Sequence, residues 1–269
     1  VSYDLANKLP SSAQTLFKSQ RQLQLVKGVN AMHELREDDI PTHLSFGDFA
    51  LSRYLEDPEE GYYIKSPKSF LGASGLLPPQ IALFEDIVSS MMLEVKSQIE
   101  KTLDREVTQT VIGRPINFQG LNAQKSNQQA IDILTNAAKR IGFKDVEFQY
   151  EPVAAGFEFE ATLTQETRVL VVDIGGGTTD CSIIEMGPNW QGLADRTESL
   201  LAHSGQRVGG NDLDIHIAIK QLMNPFGFGS KMVSGLEMPI TQYWNPIAIN
   251  NVEVQKDFYS RMNLNALKQ

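Results

Sequence analysis

The sequence predicts an α/β protein, and three observations predict it. Segments of strand and helix character alternate from Thr108 to Met223. A long apolar periodicity of helical spacing, opened by Pro78 and Pro79, precedes that alternation. Within it, two hydrophobic segments in "VLVVDIGGGTTDCSII" (Val169 to Ile184) flank three consecutive glycines and read as strands around a tight turn. At 269 residues the chain can form one large domain or two ordinary ones.

From Ser11 to about Arg36, Leu16, Leu23, Val26, Val29, Met32 and Leu35 recur at mostly helical spacing, with Ser11 or Ser12 available as N-cap. One or two helices are expected. The following "EDDIPTHLSFGDFALSRYLEDPEEG" mixes prolines, charges and short apolar runs, and its Glu56–Glu60 stretch reads as a solvated acidic turn. "YYIKSPKSFLGASG" reads as loop. After Pro78 and Pro79, an amphipathic helix carries Ile81, Phe84, Val88, Met91, Val95, Ile99 and Leu103 on a stripe expected to face a core.

"TQTVIG" (Thr108 to Gly113) is β-branched and reads as a strand, followed by the loop "RPINFQGLN". Ser126 and Gln129 form a capping-box pattern for the next helix, whose apolar face is Ile131, Leu134, Ala138 and Ile141 and whose end is marked by Gly142. "VEFQY" reads as a strand, "PVAAGFEFE" as a short helix and "SLLAHS" as a strand, and "GGNDLDIHIAIKQLM" as a glycine turn entering a helix. Beyond Met223 no period stands out.

The net charge of -9 argues against nucleic acid or an anionic membrane as the main partner, because either needs a basic field. No apolar run approaches the roughly 20 residues that span a bilayer. One cysteine, Cys181, cannot form an internal disulfide, and it reads as a small buried packing residue. With no signal-like N-terminus, a soluble protein in a reducing, cytoplasmic setting is expected. His33, His43, His203 and His216 have no metal-ligand spacing.

The glycine turn carries the chemistry. A hairpin tip of Gly175, Gly176 and Gly177 exposes backbone N–H groups without Cβ atoms, and successive amides can wrap an anion. Asp173 and Asp180 would repel a bare phosphate, so a divalent cation between them resolves the conflict: magnesium takes carboxylates, often through waters, together with phosphate oxygens. Thr178 and Thr179 add hydroxyls that could bond a phosphate or hold a water. Taken alone, the triplet is equally compatible with a tight hairpin bearing solvated aspartates.

"VLVVDIGGGTTDCSII" resembles the second phosphate-binding hairpin of the actin-like ATPase superfamily, which includes the heat-shock protein 70 chaperones such as DnaK, bacterial actin-like proteins and sugar kinases. Further segments follow in the family's order over roughly residues 60 to 223. "YEPVAAGFEFE" resembles the helix start that would bring Glu151 near the metal's waters, and "VIGRPINF" the loop in which Pro115 would be an interlobe switch. "SPKSFLG" resembles the segment that would make Lys68 the lysine reaching the phosphates, and "GQRVGGNDLD" the turn that sets Gly209 and Gly210 near them. The sequence resembles in particular the DnaK-related YegD-like group, which lacks a separate peptide-binding domain.

The resemblance implies an actin-like (ribonuclease H-like) fold of two α/β lobes, ATP or ADP with Mg2+ as ligands, and an ATP-hydrolysing chaperone-like protein whose partners include unfolded or client proteins. It implies Lys68 as the cation at the transferring phosphoryl group, Asp173 and Asp180 as metal-holding carboxylates acting through waters, and Glu151 and Thr178 as the groups orienting the attacking water. Gly175, Gly176, Gly177, Thr178, Thr179, Gly209 and Gly210 would hold the nucleotide phosphates.

Two family pieces have no counterpart. Val1 to Gly61 holds no first phosphate hairpin, and "FGFGSKMVSG" lacks the strand context of an adenosine loop. The chain is therefore expected to be an internal piece: residues 1–165 as a first lobe without its phosphate hairpin, and 166–269 as the start of a second, with 224–269 unassigned. Turnover is expected of the full-length parent and not of this piece. Competing readings are a filament-forming actin-like ATPase, a small-molecule kinase and a nucleotide-binding module without turnover.

Overall fold

A computed structural model describes residues 1–37, 44–56, 63–64, 67–118, 121–193, 195–206, 208–248, 254 and 258. The Asp57–Glu60 part of the expected acidic turn, and His43, lie outside them. The chain divides into two compact units, Val1–Phe49 with Pro67–Ala154, and Ala50–Ser66 with Ala155–Gln269.

The first unit opens with helices α1 (Ser2–Lys8), α2 (Ser11–Gln20) and α3 (Gln22–Glu37); α4 (Gly47–Glu56) runs across the division. It continues with the single turn α5 (Lys68–Leu71), the long α6 (Pro78–Leu103), strand β1 (Gln109–Arg114), α7 (Ala123–Arg140), β2 (Asp145–Tyr150) and the start of α8 (Glu151–Glu160). The two strands pair in parallel from Gln109 opposite Asp145 to Arg114 opposite Tyr150, with α7 as the crossover that parallel pairing requires. Leu71, Val88, Phe118, Ala130, Ile133, Leu134 and Ala137 form the core under this βαβ unit. A second cluster, Leu5, Ala6, Leu9, Phe17 and Ile141, binds the N-terminal helices to it.

Between these clusters lies a buried ion network. Asp86 is fully buried on α6; its carboxylate accepts hydrogen bonds from Ser2 Oγ, from Arg21 Nε at 3.1 and 3.2 Å, and from Arg140 Nη1 at 3.3 Å. Neighbouring Glu85 accepts from Arg21 at 2.8 Å and Arg140 at 2.9 Å. Burial works to raise the Glu85 carboxyl, but hydrogen bonds from Arg140, Asn136 and Arg21, with the Arg140 charge, outweigh it and hold the group below the usual carboxylate range. Helices α1, α6 and α7 and the α2–α3 turn at Arg21 thus meet on two adjacent acids.

The second unit holds an antiparallel sheet in the order β3 (Thr167–Ile174), β4 (Thr179–Met186), β5 (Leu200–Gln206), followed by α9 (Gly210–Ile217), a π-helical turn over Ala218–Leu222 and the short α10 (Thr241–Trp244). Glu160 at the end of α8 forms a buried bidentate pair with Arg196, at 3.0 and 2.6 Å. The Arg196 guanidinium lies 5.4 Å from the Phe157 ring centre and 5.8 Å from that of Trp190.

Several expectations change. Asn122, not Ser126, starts α7: its side chain accepts from the Lys125 N–H at 3.0 Å, and Ser126 is buried inside the helix. Pro10, not a serine, precedes α2, and its carbonyl accepts from Ala13 and Gln14. The "SPKSFLG" segment contains a helical turn. On α6 the expected stripe faces a core only in part: Ile81, Phe84 and Val88 pack inward, whereas Met91, Val95, Ile99 and Leu103 are exposed. There the N-terminal helices claim the face of Met92 and Leu93 instead, and Lys96 is buried against Glu100 and the Phe143 ring. Cys181 is half-buried. Among the described residues, no helix is long and apolar enough to cross a membrane.

Candidate functional site

The candidate residues form two groups, one in each unit. In the first unit, Lys68 opens α5 directly after Pro67, and Glu151 opens α8 directly after β2. The Lys68 ammonium pairs with Glu151 Oε1, both side chains being partly exposed. A glycine in the neighbouring strand makes room for this: a Cβ on Gly113 would lie 3.3 Å from Glu151 Cγ and Oε1. Pro115 follows β1 by one residue. Two residues that bring sequence-distant segments together here, Gly113 and Arg114, were not among the predicted site residues. A glycine inside a β-branched strand was the available signal for the first.

In the second unit the expected hairpin is present. Asp173 on β3 and Asp180 on β4 are direct cross-strand partners, so both carboxylates stand on one face of the sheet. Gly205 on β5 is the next residue in the same row, and the Asp180 carboxylate occupies the space its Cβ would need. Thr178 Oγ1 donates to Asp180 Oδ2 at 3.0 Å. Among the described residues Asp173 has no such partner, and like charges set opposite each other are unfavourable without a cation.

The tip is closed by the Gly175 N–H donating to the Thr178 carbonyl at 2.9 Å. The start of α9 braces it from one side: Gly210 N–H donates to Gly175 O at 2.9 Å, Asn211 N–H to Gly176 O at 2.8 Å, and Thr179 Oγ1 to Val208 O at 2.7 Å. A Cβ on Gly209 would sit 2.7 Å from the backbone of Gly175 and Gly176, which only glycine avoids. The carbonyls of the tip are therefore used, while the N–H groups of Gly176, Gly177 and Thr178 meet no acceptor among the described residues. Around Gly177 the space is open.

The donor set fits magnesium better than a cation needing an all-protein cage. Two carboxylates face each other, and among the described residues no group of three or more His, Cys, Asp or Glu could hold a metal. Magnesium keeps several waters and takes one or two carboxylates with phosphate oxygens. A separate hollow of about 580 Å³ in the first unit, beside Phe17, Arg21 and Arg140, contains neither Lys68 nor Glu151.

The family model described as Hsp70 protein matches residues 82–231, more than half of the chain. The chaperone protein HscA homolog of Rickettsia prowazekii (strain Madrid E) is 32% identical over 142 residues, covering 52% of this chain and 21% of the relative. That of Rickettsia typhi (strain ATCC VR-144 / Wilmington) is 32% identical over 133 residues, 49% of this chain and 20% of the relative. That of Rickettsia bellii (strain RML369-C) is 32% identical over 134 residues, 49% and 20%. The matched stretch is about a fifth of the length of these relatives.

Proposed function

Because the chain belongs to the Hsp70 family, whose domain implies the actin-like ATPase fold, we propose that it is part of a magnesium-dependent ATP-binding and ATP-hydrolysing domain of a chaperone-like protein. In this reading residues 1–165 belong to the first lobe and 166–269 to the second, and the kinship is with the YegD-like branch. The gene product containing this sequence binds client proteins.

The observation that carries the reading is the pairing of Asp173 with Asp180 beside three free backbone amides. Amides at Gly176, Gly177 and Thr178 would receive phosphate oxygens, and Gly209 with Gly210 would hold the tip in shape. Asp173 and Asp180 would hold magnesium through its water shell. Magnesium, when bound, offsets phosphate charge and fixes the phosphate oxygens in place. Lys68 supplies a positive charge for the transferring phosphoryl group; Glu151, which holds the Lys68 ammonium, and, separately, Thr178 are assigned to orienting the attacking water.

Calorimetric titration of magnesium-ATP into this chain, and into the complete gene product, tests the proposal. Saturable binding by the complete product, lost on chelation of magnesium and weakened by Asp173→Asn, is expected. Absence of binding by that product would sink the reading.

A further inference from the structure

We propose that Arg114 is a positioning residue that clamps the Pro115–Ile116 segment to the strand end carrying Glu151, and so governs turnover more than nucleotide affinity. The inference rests on the proposed ATPase reading for its catalytic consequence, though not for the clamp itself.

Arg114 is the last residue of β1, and its Cα partner across the parallel pair is Tyr150, the residue immediately before Glu151. Its side chain turns onward along its own chain: Nε donates to the Pro115 carbonyl at 3.1 Å and Nη2 to the Ile116 carbonyl at 3.0 Å. The same guanidinium lies 5.2 Å from the Tyr150 ring centre and 5.7 Å from that of Phe118, which is buried in the core. One planar cation thus donates to two successive carbonyls just past a strand end and lies over two aromatic rings. Pro115 has no N–H to donate, so the chain past β1 loses a ladder donor there, and the Pro115 and Ile116 carbonyls accept from the Arg114 side chain.

The contacts form a short connected path. Arg114 fixes the Pro115 loop and the Tyr150 ring; the next residue after Tyr150 is Glu151; Glu151 rests against Gly113 and holds Lys68. Loss of the guanidinium frees the loop on one side of Glu151, takes the side-chain donor from the Pro115 carbonyl and leaves Ile116 only the longer bond from Asn127 Nδ2 at 3.4 Å. Lysine keeps the charge but has no planar fork for two carbonyls and two rings, so Arg114→Lys is not a conservative change here.

The test compares Arg114→Gln and Arg114→Lys with wild type in the complete gene product, using two readouts. The first is amide hydrogen exchange of the segment from Ile116 to Phe118, which requires no nucleotide. The second is steady-state ATP hydrolysis with kcat and KM measured separately. Expected for both variants is at least about tenfold faster exchange in that segment, about a tenfold loss of kcat and a KM within about threefold of wild type. A merely structural role would instead lower the melting temperature and leave kcat per folded molecule unchanged. Unaltered exchange in Arg114→Gln overturns the clamp whether or not ATP is hydrolysed. Faster exchange with unchanged kcat overturns the positioning role. A wild-type protein that turns over no ATP, with the exchange difference present, defeats the ATPase reading and the catalytic half of this assignment while the clamp stands.

Discussion

Glu151 at the first position of α8 holds the ammonium of Lys68 at the first position of α5, across 83 residues of sequence. Both residues sit where a backbone element begins, so their positions are set by strand and turn geometry and not by long flexible loops. Removing the charge of either should act on turnover. Lys68→Ala, and independently Asp173→Asn in the other group, are each expected to slow ATP hydrolysis by the complete gene product at least about tenfold, about 1.4 kcal/mol of barrier. Phosphate-release assays at saturating nucleotide check this; rates equal to wild type would remove these residues from the site.

Gly209→Ala probes the brace behind the hairpin tip. The new methyl would meet backbone atoms of Gly175 and Gly176, which cannot rotate away as a side chain can. A cost of about 1–3 kcal/mol in stability is expected from such overpacking, accompanied by weaker magnesium-ATP binding. Urea denaturation and calorimetry on the same variant measure both. Wild-type values in both would show that the tip and the start of α9 move apart freely.

Asp86→Ala should be far more damaging than an ordinary surface substitution. It would leave Arg21 and Arg140, both largely buried, with Glu85 in place of two carboxylates to share. Breaking one side of a buried ion pair typically costs about 3–5 kcal/mol. Replacing Glu85 together with these three residues by apolar side chains of similar volume should recover much of that loss. A single variant as stable as wild type by denaturant titration would contradict the network.

Glu85 gives this unit an acid-sensitive component. Its carboxyl lies below its ordinary value of 4.5 in the folded chain, so the folded state favours the ionised form. The associated stability is present above the unfolded value and lost as pH falls through the folded one. Stability should therefore decline as pH falls below the unfolded value of 4.5 and through the lower folded one, and Glu85→Gln should reduce that slope while lowering stability at neutral pH. Identical slopes in the two proteins would exclude Glu85 as a contributor.

Legibility in the sequence followed local physics. The hairpin from Val169 to Ile184 was readable because apolar strands and a glycine tip are both local signals, and the strand register sets Asp173 opposite Asp180. The start of α7 was misread because Ser126 and Gln129 imitate a capping box, while the capping oxygen belongs to Asn122. Seven-residue α1 has too few apolar positions for a period to emerge. Asp86 and Arg140 resemble solvent-facing charges on amphipathic helices until their partners from distant helices are present. The exposed half of the α6 stripe has the same origin: periodicity identifies a helix, but the elements packed against it decide which face is covered.

The Arg196 clamp has an optical consequence. The chain's two tryptophans, Trp190 and Trp244, both fall in the second unit, the first beside the Arg196 guanidinium and the second near the imidazole of His216. Selectively excited indole emission therefore reports on that unit alone, while the helical unit built around Asp86 is silent in that channel and must be followed by its circular dichroism. A denaturation experiment recorded in both channels separates the melting of the hairpin unit from that of the helical one without any label.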